Sequence, residues 1–187
     1  MLNFVKSLYS GLCIGLGGTA YLSCDNKILG AFLFGLGLFT ILNFGFNLFT
    51  GKVGYFVNNK PSYWGFLGIV WLGNFAGTFL FARMMSATRY GAALQAKANA
   101  LCLVKDGDSI ASLLVLGIFC GMLMFIAADG FKTIENQLGK IITVMYLLSR
   151  NCCQSSHQKS TPCFSMGCST ELKYASAHSC WSMRKGM

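Results

Sequence analysis

Hydrophobic residues fall in long blocks that charged residues interrupt only at their ends. Charge-free stretches cover 7–24 (18 residues), 28–51 (24), 61–82 (22) and 109–128 (20). About 20 residues of helix at 1.5 Å each cover the roughly 30 Å hydrocarbon core of a bilayer, so each block predicts a membrane span. Backbone N–H and C=O groups in lipid must be paired within their own segment, which makes these spans helical. A fifth block, 141–149, meets Arg150 after nine residues. As a helix it reaches only about 14 Å, a partial span.

The first block follows Lys6 in the manner of a signal peptide. Three further spans come after it, and no small-x-small site precedes a polar mature domain, so it reads as a first span. Lysines and arginines split five against five between the two faces, which leaves orientation open.

The second block does not stop at its charge. Apolar character continues past Lys52 through Val53-Gly54-Tyr55-Phe56-Val57, and 28–58 as one helix would be about 46 Å long. A break is expected near 43–51, where two asparagines, a threonine and two glycines sit among aromatics. Irregular backbone at membrane depth survives only when buried in protein or lining a watery cavity. The N-terminus of the second half-helix would present N–H groups that favour an anion. A hairpin or a tilted, kinked helix is the plainer reading of the same residues.

Small residues recur at four-residue spacing in three spans: Gly11 and Gly15, Gly73 and Gly77, Gly117 and Gly121. Such stripes let helix backbones approach closely, and three of them predict a tightly packed bundle.

Composition agrees with the pattern. The 187 residues are 54% hydrophobic and 11% charged, against roughly 25% charged in an average soluble domain. No paired carboxylates and no Ser-His set lie in the spans, so an enzyme is not expected. Neither a cofactor nor a nucleic-acid partner is implied; the lipid bilayer is.

Several of these residues together resemble the formate/nitrite transporters, a family of anion channels. Leu48-Phe49-Thr50-Gly51 looks like the family's Leu-Phe-Thr motif in its broken second helix. Trp71-Leu72-Gly73-Asn74-Phe75-Ala76-Gly77 matches its Gly-Asn-x-x-Gly third helix, and Gly117-Ile118-Phe119-Cys120-Gly121-Met122-Leu123-Met124 resembles its fourth helix in a Cys-Gly form. The likeness runs from about Phe4 to Tyr146. It implies an all-α membrane protein with an aquaporin-like helical bundle, a homopentamer with one pore per protomer, and a multi-pass place in a bacterial cytoplasmic membrane. The implied function is a channel or proton-coupled transporter for small monovalent anions, with formate first and nitrite or hydrosulfide behind it. Phe34 and Leu38 then fall at an outer apolar constriction, Leu48 with Phe49 at an inner one, and Thr50 where a loop hydroxyl hydrogen-bonds to substrate or to a pore histidine. Lys105, twelve residues before Gly117, matches a lysine that attracts the anion near the vestibule; by itself, beside Asp106 and Asp108, it reads as a solvated loop charge. Gly121 stands where many relatives carry asparagine.

After Tyr146 the likeness ends. A full fifth helix, a Gly-Phe-Glu-His segment with the pore histidine, and a sixth helix are expected and absent. In their place 150–187 is polar, with five of the nine cysteines and both histidines, His157 and His178. Cys152, Cys153, Cys163, Cys168 and Cys180 form no C-x2-C knuckle, so no metal site is read there. The expected organisation is a transmembrane domain over 1–149, truncated after about four and a half of six spans (7–24, 28–58, 61–85, 109–128 and a partial 141–149), and an unstructured or frameshifted tail over 150–187. A non-conducting fragment of such a channel is the alternative functional reading.

Overall fold

The computed structural model describes residues 1–106 and 109–156, and every regular element among them is helical. Helix α1 spans Leu2–Ser23, α2 Lys27–Asn43, α3 Thr50–Val53 with a 3-10 turn at Gly54–Asn58, α4 Tyr63–Ser86, α5 Gly91–Asp106, α6 Ile110–Thr133 and α7 Gln137–Ser156. The tail histidines His157 and His178 and cysteines Cys163, Cys168 and Cys180 lie outside the described residues.

Helix starts follow local chemistry. Asn26 caps α2, its Oδ1 accepting from the N–H groups of Ile28 (3.0 Å) and Leu29 (3.4 Å). Ser109 caps α6 by accepting from Ser112 N–H at 3.3 Å. The stop of α2 is equally local. Gly45 takes φ +64°, Phe46 N–H donates to Ile41 C=O (3.0 Å) and Gly45 N–H to Leu42 C=O (3.3 Å). That is the Schellman pattern, which only a residue tolerant of the left-handed region closes without strain.

Helices α1 and α4 pack in parallel through interlocked glycines. A Cβ on Gly11 would sit 2.3 Å from Asn74 C=O, one on Gly77 2.2 Å from Leu8 C=O, and one on Gly73 2.5 Å from Ser7 Cβ. Backbones this close leave no room for any side chain, so two of the three glycine stripes form one seam. The third does not join it: among the described residues nothing lies within 4 Å of a Cβ on Gly121. Helix α2 runs antiparallel to α1, with the Phe34 ring against Gly17 and Gly37 over the Cys13 carbonyl. Helices α6 and α7 close the other side of α2, where Gly35 meets Met145 and Leu148.

Large apolar side chains are exposed to a degree unusual for a soluble protein, and several polar ones are buried. Ser7, Ser10, Asn47, Asn74 and Thr78 are buried, while Trp64, Ile69, Trp71, Leu72, Phe79 and Leu80 of α4 and Leu114, Val115, Ile118, Phe119 and Met122 of α6 are exposed. In water such apolar surface would drive association; against lipid tails it is matched. Helices α4 and α6 are the two described helices that are long and apolar enough to cross a membrane by themselves. Helix α1 spends part of its length on serine and glycine facing α4, and α2 ends after 17 residues, about 25 Å, at its break.

Two stretches depart from the hydropathy pattern. Residues 91–106 form α5, which carries Lys97 and Asp106 and follows Arg89, so a search for charge-free runs passes over it. Lys97 of α5 pairs with Asp25 in the α1–α2 connection at 3.3 Å. Helix α7 runs through Arg150 to Ser156 and is 20 residues long, where the apolar block alone gives nine.

Candidate functional site

Residues 44–49 interrupt the second helix beside the middle of α4. Asn74, the twelfth of that helix's 24 residues, is buried and donates through Nδ2 to Asn47 C=O at 2.9 Å and to Val70 C=O at 2.7 Å. A carbonyl freed by a helix break has no water to turn to at this depth, and the asparagine amide takes its place. Asn47 in turn is buried, and its Nδ2 lies 3.5 Å from Asn3 C=O on α1. Aromatic rings cover the loop: Tyr9 stacks on Phe46 at 5.7 Å and Phe46 on Phe44 at 5.8 Å.

Beyond the loop the chain re-enters helix at Thr50. Helix α3 has only four residues, so few peptide dipoles align there and the anion-favouring helix end expected from the sequence is small. The hydroxyl is the more telling feature. Among the described residues Thr50 Oγ1 is buried with no hydrogen-bond partner, as is Ser10 Oγ of α1. Buried hydroxyls are nearly always paired, and leaving one unpaired costs about 1–3 kcal/mol.

Phe34, Leu38 and Leu48 come together, being 1%, 0% and 6% exposed in one apolar cluster with Ile41, Met124, Phe131, Val144 and Leu148. Phe49 is half-buried and stands at the N-cap of α3. Lys105 lies on α5, away in the chain from the break; its side chain is outside the described residues.

The half-helix after Thr50 is held from two sides. Toward α6, a Cβ on Gly51 would lie 3.1 Å from Ala128 Cβ and one on Gly54 only 2.5 Å from the Phe125 ring, while the Tyr55 hydroxyl donates to Asp129 Oδ1. Lys132 Nζ lies 3.1 Å from the same hydroxyl and 4.5 Å from the centre of the Tyr55 ring. Toward α4, the Tyr63 hydroxyl donates to Lys52 C=O at 3.1 Å. Lys52 itself is half-buried and stands in the field of the like charges of Lys132 and Lys6.

Hydropathy missed Tyr55, Asp129, Lys132 and the clamping role of Asn74. A signal was present: an amide inside an apolar span, and a carboxylate three residues from a lysine at the end of another, mark intramembrane polar partners.

The family model described as Formate/nitrite transporter matches residues 2–150. The structure is similar to a solved structure titled "Pentameric formate channel with formate bound", with a TM-score of 0.74 and 20% identity over 98% of this chain and 80% of that one. At that identity the likeness establishes a shared fold. No curated protein matches the sequence.

Proposed function

Because the chain belongs to the formate/nitrite transporter family, and is thus an integral membrane transport protein and not an enzyme, we propose that it conducts small monovalent anions, formate first, through a pore in each protomer of a homopentamer. The observation that carries this reading is the Thr50 hydroxyl, buried and unpartnered among the described residues, at a helix break level with the middle of a spanning helix. A hydroxyl there can donate to a carboxylate oxygen that has shed its water.

Phe34 with Leu38, and Leu48 with Phe49, are the apolar constrictions in this reading. They pack shut, and passage requires them to part. A bare anion in such a dry passage pays a large desolvation penalty, whereas the protonated acid avoids most of it, which favours proton-coupled movement. Nitrite and hydrosulfide share the small size and single charge of formate. Lys105 would draw the anion toward the vestibule, and the membrane domain would be 1–149 in a bacterial cytoplasmic membrane, with 150–187 outside the transport machinery.

Uptake of labelled formate into proteoliposomes tests the proposal. Saturable uptake is expected, reduced about 10- to 100-fold by Thr50→Val, since a hydrogen bond to a charged group is worth about 1.5–3 kcal/mol. Thr50→Ser keeps the hydroxyl and should retain most of it. Well-folded protein without formate uptake would instead fit a non-conducting fragment, and wild-type uptake by Thr50→Val would remove the hydroxyl from the path.

A further inference from the structure

A carboxylate on a helix that borders an anion path is an odd choice, because its charge repels the cargo. Asp129 sits four residues before the end of α6, half-buried, one residue beyond the alanine that touches Gly51. Intramembrane ionisable residues are retained for a task and have a nameable partner. Here the partners are the Tyr55 hydroxyl, which donates to Asp129 Oδ1, and Lys132, one turn further along the same face, which bonds the same hydroxyl at 3.1 Å.

The placement of Tyr55 matters as much as its bond. It belongs to the short helical run from Thr50 to Asn58, which follows a non-helical loop and so has no continuous helix to hold it in line with α2. Three consecutive contacts seat that run on α6: Gly51 on Ala128, Gly54 on Phe125, and Tyr55 on Asp129. The first two are close approaches without direction, and helices can slide along such surfaces. The third is a directional hydrogen bond to a charged acceptor, which fixes rotation and register. The Tyr55 ring is itself set edge-on against Phe125 at 5.1 Å.

We propose that Tyr55 and Asp129 are positioning residues that hold the half-helix on α6 in the register that points the Thr50 hydroxyl into the anion path, with Lys132 offsetting the carboxylate charge. Neither touches the anion. This rests on the reading of Thr50 as the anion's contact, so the primary test is independent of transport.

In the full chain reconstituted in vesicles, the rate at which a small methanethiosulfonate modifies Thr50→Cys is measured at that peptide by mass spectrometry, which separates it from the native cysteines. Adding Tyr55→Phe keeps the ring, its Phe125 contact and the Lys132 ammonium over its face, and deletes the hydroxyl with its bonds to Asp129 and from Lys132. The rate should change at least tenfold. Asp129→Asn keeps an acceptor oxygen and should change it two- to threefold; combined with Tyr55→Phe it should add nothing, since the two act through one bond. In formate uptake, Tyr55→Phe should raise KM about tenfold while the maximal rate per folded protein stays near the parent's, a split that mere loss of folded protein would not give. A modification rate within twofold of the parent, or additive effects of the two substitutions, overturns the proposal. Absence of uptake by the parent protein would sink the channel reading alone, because the modification rates still report whether Tyr55 and Asp129 position residue 50.

Discussion

The α1–α4 seam and the outer part of α6 carry the same sequence mark, glycines four apart, and use it differently. In the seam, Gly11, Gly73 and Gly77 put backbone against backbone, and Thr78 Oγ1 ties the two helices, reaching Asn74 C=O at 2.9 Å and Gly11 C=O at 3.3 Å. On α6, Gly121 faces open space in a helix whose neighbouring Ile118, Phe119 and Met122 are exposed. Spacing therefore marks a capacity for close approach, and only a partner with a matching surface turns it into stability. The seam has that partner within the protomer, where Asn74 also reaches across to hold the break.

The seam should be the harder of the two to alter. Gly77→Val places a side chain where the Leu8 carbonyl and the Gly11 Cα already stand, at 2.2 and 3.0 Å, and backbone cannot step aside as a side chain can. Overpacking of this kind costs roughly 1–3 kcal/mol or more. A large fall in the thermal midpoint of the detergent-solubilised protein, with loss of folded yield, is the expected result. A midpoint within a degree or two of wild type would mean that α1 and α4 slide past one another, and the contrast with α6 would collapse.

Between these extremes lies Gly54, which meets α6 through a side chain. Its added Cβ in Gly54→Ala would fall 2.5 Å from the Phe125 ring, which can rotate away at the expense of its edge contact with Tyr55. The expected loss is about 1–2 kcal/mol in the same melt, smaller than at Gly77 because the obstacle yields. A loss equal to that of Gly77→Val would show the half-helix to be seated as rigidly as the seam.

How far the sequence discloses all this depends on whether a residue's role is local. The end of α2 is local: Asn43-Phe44-Gly45 supplies the left-handed residue that closes the helix, and the loop follows. The two stripes of the seam were equally visible. Helix α5 was not, because Lys97 and Asp106 break its hydropathy, although its run of alanine, leucine and glutamine favours helix on intrinsic grounds. The clamp of Asn74 on Asn47 and the bond of Tyr55 to Asp129 join residues 27 and 74 positions apart, and spacing along the chain is silent about such pairs. Residue type could name these side chains as unusual, but only the folded chain says what they hold.

The smallest effect is expected at Gly121, and it separates two explanations of the α6 stripe. Alanine there meets nothing within 4 Å among the described residues and improves helix propensity by up to about 1 kcal/mol. Gly121→Ala should thus leave the melt of the monomeric chain unchanged or slightly raised. If the stripe is merely a common feature of membrane helices, the proposed homopentamer behaves the same way. Should the assembled protein instead lose stability or change its oligomeric distribution in native mass spectrometry, the methyl group has met something outside the protomer. The α6 glycines would then do between chains what Gly11 and Gly77 do within one, and the difference between the two regions would lie in where the partner comes from.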